Sequence, residues 1–167
     1  MTDHDVHQRL TSKLAEERLA WRALVEEIGQ DRMTEPGPMG DWSFHDLVVH
    51  LMGWRERTLD RLAAIAAGEP DPPEPWPTDL PGGDDDDPVN DWIQAQGADR
   101  SVPEVLADID ASYDRLAAAL AAIPADVLTD PNGIPWLDGT AAVDVDWVSH
   151  FHVEHEPSVR AWLARRA

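Results

Sequence analysis

"WSFHDLVVHLMGWRERTLDRL", residues 42–62, holds the pattern on which the fold turns. Phe44, Leu47, Val48, Leu51, Leu59 and Leu62 recur at three- and four-residue steps, with Ile65 and Ala66 further along. That spacing is one apolar face of an α-helix. Ser43 followed by Asp46 resembles a capping box with the shorter acid and marks the helix start. Gly68 and Pro70 stop it near Ala67. A helix turns about 100° per residue, so His50 lies at the edge of the apolar face, beside Leu47 and Trp54. Asp46, Arg57 and Arg61 fall within about 40° of His50 along the same line, and His45 lies off it. A polar line bordering an apolar face is what a pocket inside a helical bundle needs. Taken alone, His50 also reads as a hydrogen-bonded boundary residue, and Arg57 and Arg61 as surface partners of Glu56 and Asp60.

Outward from this segment the same period returns. Val6, Leu10, Leu14, Trp21, Leu24, Val25 and Ile28 predict a helix over about 3–28. "EPGPMGD" at 35–41 breaks the pattern. "GEPDPPEPWPTDLPGGDDDDP" at 68–88 is too rich in proline for helix or strand, and residues 69–88 read as a long crossing loop. Asp84–Asp87 lack the spaced ligands of a calcium loop. They read as solvated acids that also charge the start of a short helix near 89–96. Val102, Val105, Leu106, Ile109, Tyr113, Leu116, Leu120 and Ile123 form a third stripe, ended by Pro124. "TDPNGIPW" at 129–136 is turn material, and a last helix is expected over about 142–166. Four long amphipathic segments with almost no alternating pattern predict an all-α four-helix bundle, read as one domain over residues 1–167.

Composition narrows the function. The chain has 167 residues, 33 acids against 13 Lys and Arg, and a formal net charge of -20. Such a surface repels phosphate backbones and anionic lipid, so neither nucleic acid nor a membrane is an expected partner. No apolar run is long enough to span a bilayer, and no basic-then-apolar leader opens the chain. A cytoplasmic location is the default. There is no cysteine, so any metal site must use nitrogen and oxygen ligands.

"HFHVEHEP", residues 150–157, packs three of the seven histidines into eight positions. With His155 at zero on an ideal helix, Val148, Phe151, Val159 and Trp162 fall within about 40° of it. His152 lies about 60° to one side and Glu156 about 40° further round on that flank. His150 and Glu154 fall outside the stripe and are expected to face solvent. His152 and His155 are therefore the inward pair. Pro157 lacks an N–H and clashes one turn back at Val153, so a kink or a fresh helix start is expected just after His155.

The patterns W-S-x-x-D-x-x-x-H-L-x-x-W-R-x-R-T at 42–58 and H-F-H-x-E-H-E-P-x-V-R-x-W-L at 150–163 resemble the DinB-like four-helix bundle superfamily. They look most like its ClbS/DfsB-type branch and the N-terminal domain of mycothiol-dependent maleylpyruvate isomerase. The resemblance covers nearly the whole chain. It implies a divalent metal, zinc or nickel, held by one His of the second helix and two ligands spaced i,i+4 on the last. His50 and His155 match two of these positions. The third is Phe151, and His152 stands one residue late, so the expected ligand set is His50, His152 and His155, with Glu156 as a further candidate. Asp46 would orient His50 from behind the metal, and Trp54, Arg57 and Arg61 would bind substrate.

The function implied is a metal-dependent transferase or isomerase acting on a small molecule with a low-molecular-weight thiol such as mycothiol. Two other readings stay open. One is a metal-free hydrolase or sequestering resistance protein of the ClbS kind, with an indole-lined pocket. The other is a non-catalytic dimeric bundle; a homodimer is also implied by the resemblance.

Overall fold

A hydroxyl and an acid three residues on start each long helix. In the computed structural model, which describes residues 2–80 and 87–165, Thr2 and Asp5 open α1 (Asp3–Ile28) and Ser43 and Asp46 open α2 (Phe44–Ala67). Ser101 and Glu104 open α4 (Val102–Ala121), after a short α3 (Asp87–Gly97). In each box the acid takes the cap's own N–H, so two N–H groups without helical partners are satisfied at once. Removing such a cap costs ~1 kcal/mol. At the far end of α2, Gly68 adopts a left-handed conformation and its N–H returns to the carbonyls of Ala64 and Ile65. A short α5 (Ala125–Thr129) and α6 (Glu156–Ala164) complete the helices.

The fold is an all-α bundle, as the periodicity predicts. Trp21 stacks on Phe44 at 5.5 Å and takes the edge of Phe151 at 5.2 Å, joining α1, α2 and the last helical run in one core. Val105, Ile109, Val159 and Trp162 enter the same core. A second core, built on Leu10, Leu62, Leu116 and Leu128, fills the other end. Each fully buried leucine contributes about 1.5–3 kcal/mol.

Two details depart from the sequence reading. Residues 35–41, read as a break, and Trp42 and Ser43, read as the opening of the second helical segment, form a small antiparallel ladder of β1 (Pro36–Met39) and β2 (Trp42–Ser43). The ladder is possible because Gly37, at φ 123°, lies flat against the Trp162 indole. The last helix also starts later than 142. Ala142–Asp144 make only a 3-10 turn. Asp146 then accepts the N–H of Val148 at 3.0 Å through Oδ1, closing a turn over 147–148, and helix follows from Ser149.

The crossing loop is fastened along α2. Arg57 donates to Glu74 at 2.7 Å and to the Pro72 carbonyl at 3.2 Å, and Arg61 pairs with Asp71 through both carboxylate oxygens. Trp76 of this loop packs on Trp54 at 4.9 Å. Asp84–Asp86, read as solvated acids, lie outside the described residues, and α3 begins at Asp87. No helix among the described residues is long and apolar enough to cross a membrane.

Candidate metal centre

Pro157 shapes the site before any histidine does. It has no N–H to give the Val153 carbonyl, and its ring would press on that carbonyl in a regular α-helix. The chain responds with a π turn over Phe151–His155, where the N–H of Glu156 reaches back five residues to the Phe151 carbonyl. Such a turn takes one residue more than an α turn, so positions five apart stack on one side. His150 and His155 are five apart. The wide turn brings His150 beside His155, and His150 stays exposed, as its place on an ideal helix leads one to expect.

Three imidazoles now converge. Nε2 of His150 lies 3.1 Å from Nε2 of His50 and 3.1 Å from Nε2 of His155. One nitrogen from each ring falls within 4.8 Å of both others. His50 and His155 are buried, and His150 is exposed. The rings of His50 and His155 meet nearly at right angles, at 5.1 Å. Trp42 of the hairpin covers His50 at 5.6 Å.

Hydrogen bonding alone does not satisfy this arrangement. A neutral ring nitrogen either donates one proton or accepts one. His150 Nε2 cannot serve both neighbours, so one close pair is left lone pair to lone pair or proton to proton. A cation between the three resolves the conflict. Metal–nitrogen bonds of about 2.0–2.1 Å at tetrahedral angles put ligand nitrogens about 3.3–3.4 Å apart, close to the 3.1 Å that separates His150 from each of the other two. Burial, then the neighbouring His155 and His150, pushes the His50 ring down to about 3. Burial, then His150, pushes His155 down to about 4. Both rings are neutral at pH 7, with lone pairs available. The three histidines could hold a metal ion.

Of the other residues singled out in the sequence, Trp54, His152 and Glu156 line the adjoining pocket, and none is part of the cluster. His152 is not in the cluster. It contacts Glu156 Oε2 through Nδ1 at 2.7 Å and Glu17 Oε2 through Nε2 at 2.8 Å, so both ring nitrogens face carboxylates. Burial disfavours its charge, but the bonds to Glu156 and Glu17 outweigh that and raise its pKa. Glu156 is taken up by His152 and Arg160. Asp46 does not orient His50. Its Oδ2 takes the Ser43 N–H and hydroxyl, and its Oδ1 takes the Gln94 amide. Nδ1 of His50 and of His155 are buried with no hydrogen-bond partner among the described residues. His45, off the line as expected, meets the Arg100 carbonyl at 2.9 Å. Trp54 donates to Asn90 at 3.0 Å. Arg57 and Arg61 hold the crossing loop and are spent there.

Beside the cluster opens a pocket of about 110 Å³. Trp21, Trp54, Trp147 and Phe151 form its apolar walls, and His150 reaches it from the cluster. Sequence reasoning missed His150 and the pocket residues Arg55 and Tyr113. Pro157 was the available signal for the first. The pairing of Arg55 with Tyr113 joins α2 to α4 and has no local signature.

A family model described as the DinB superfamily matches residues 9–157. No protein of curated function and no solved structure matches the chain.

Proposed function

The chain belongs to the DinB superfamily, and from that premise we propose that His50, His150 and His155 hold a divalent metal ion of the zinc or nickel kind, used on a small-molecule substrate in the adjoining pocket. The observation that carries this is the meeting of three Nε2 atoms, two of them on buried neutral rings, at a spacing hydrogen bonds cannot satisfy. Neutral imidazoles suit zinc and nickel. When bound, such an ion polarises what it touches and lowers the pKa of a coordinated group. His50 and His155 hold their lone pairs in place from two elements, and Trp42 limits the swing of His50. His150, exposed and lining the pocket, turns the cluster toward substrate. The indoles shape an apolar body and exclude water from it. The reaction class is transfer or isomerisation, and the co-substrate is a low-molecular-weight thiol of the mycothiol kind; both rest on the family resemblance.

Elemental mass spectrometry on protein purified without a histidine tag or chelator tests the site. Near-stoichiometric zinc or nickel is expected in the wild type and in His152→Ala. Less than about a tenth of it is expected in His50→Ala, His150→Ala and His155→Ala, since losing one of three ligands costs a large share of the binding free energy. Loss in His152→Ala with retention in His150→Ala would restore the ligand set read from the sequence. No metal in the wild type, and none taken up on addition, would overturn the reading. The indole-lined pocket would then favour a metal-free sequestering protein of the ClbS kind.

A further inference from the structure

Among the described residues, nine arginines form ion pairs with carboxylates: Arg9, Arg18, Arg22, Arg32, Arg57, Arg61, Arg100, Arg115 and Arg160. Arg55 forms none among the described residues, although it is the partly buried one that lines the pocket. It donates to Ser112 Oγ at 3.0 Å, and its guanidinium lies over the Tyr113 ring at 5.0 Å. Ser112 is fully buried and gives its own proton to the Ile109 carbonyl at 2.6 Å, so its oxygen is fixed as an acceptor for Arg55. The arginine is thus aimed and held by neutral groups, and Glu56, the carboxylate that acts on it, does so at a distance and is paired to Arg115. An unpaired cation in a partly apolar cavity is costly unless a ligand completes it.

We propose that Arg55 is the anion subsite of this pocket, and that the ligand is a small monocarboxylate with an apolar or aromatic body. Its carboxylate meets the guanidinium fork, two N–H donors to two oxygens. Its body lies along Trp21, Trp54 and Phe151, with His150 also on the wall. The pocket also selects a single charge. Glu17 and Glu156 line it too, each bonded to His152, and Arg160, the other arginine on the wall, is paired to Glu156 and Glu27. With those carboxylates already bonded to His152 and Arg160, Arg55 alone is left to meet a ligand's charge, which matches one carboxylate and falls short of a phosphate dianion. For its place in a reaction this rests on the metal reading above; as a binding site it stands on the pocket.

Calorimetry on the as-purified protein tests the subsite, with carboxylates from acetate through benzoate and phenylacetate to 4-phenylbutanoate, each beside its amide, and with inorganic phosphate. At least one acid is expected to bind tenfold or more tighter than its amide, with phosphate weaker than that acid. The preference should vanish in Arg55→Gln, survive in part in Arg55→Lys, and persist in His50→Ala. If no acid of the series outbinds its amide in the wild type, the proposal is overturned without need of a variant. If the preference persists in Arg55→Gln and is lost in His50→Ala, the metal reading stands and the anion subsite is wrong. If the wild type holds no metal and the preference still follows Arg55, the subsite stands and the metal reading fails. Phosphate binding as tightly as the best acid overturns the choice of a monocarboxylate.

Discussion

Gly37 has no room for even one more carbon. Its φ of 123° suits glycine alone, and a Cβ there would lie 2.9 Å from Cδ1 of the buried Trp162 indole. Backbone strain and overpacking therefore add, and Gly37→Ala should cost about 2–4 kcal/mol. In a chain of this length that lowers the melting temperature by about 5–15 °C. A thermal melt by circular dichroism checks it, and an unchanged midpoint would show that the hairpin is not held against α6. The residue scale is also where the sequence was hardest to read. Arg55 sits next to Trp54 in a motif that drew attention to Arg57 and Arg61, yet those two hold the crossing loop. What separates the three arginines is which acids lie near them in space. Glu74 and Asp71 come from a loop whose path no periodicity predicts.

The elements were legible where the chain obeys one period. The capping pairs Ser43/Asp46 and Ser101/Glu104 and the glycine at 68 fix their helices from local chemistry alone. The last helix is where a fixed 100° step fails. Asp146 delays its start, and the π turn at Phe151–His155 inserts one residue into one turn. Residues before that turn are then rotated relative to those after it, so His150 joins His155 and His50 while His152 turns to Glu17 and Glu156. This gives a test at the scale of the element. In Pro157→Ala the N–H returns and the ring clash with Val153 disappears, and the turn is expected to tighten to α geometry. His150 would swing away from His50 and His155. Metal affinity should fall at least tenfold while the melting temperature holds or rises. A variant that binds metal as before would show that the π turn is set by the core contacts of Phe151 and Val159.

Across the whole molecule, scarce cations join elements in a chain with a formal net charge of -20. Arg18 and Arg22 of α1 both grip Asp110 of α4. Arg115 of α4 pairs with Glu56 of α2, and Arg160 of α6 reaches Glu27 of α1. Hydrogen bonds from Arg18, then Arg22, outweigh burial and hold the Asp110 carboxyl well below the usual carboxylate range. A depressed carboxyl stabilises the fold above its unfolded pKa, near 4, and that stability is lost as pH falls through the folded value. Asp110→Asn should cost ~1 kcal/mol at pH 7 and low salt, and less at high salt. The gap between variant and wild type should start to close below about pH 4. Urea melts at several pH values measure it, and a gap independent of pH would place the effect in packing. The bundle itself follows from hydrophobic period alone, but these ion pairs depend on which helix faces which.

The five-residue step from His150 to His155 has a meaning in genetic terms. It is one longer than the four-residue step that the family resemblance implies, and the π turn absorbs one residue. One codon inserted in frame within this turn would give this arrangement, with the extra residue taken up by the π turn and the two imidazoles on the same side. Such an insertion lengthens the gene by three nucleotides and leaves the ligand-bearing face where it was.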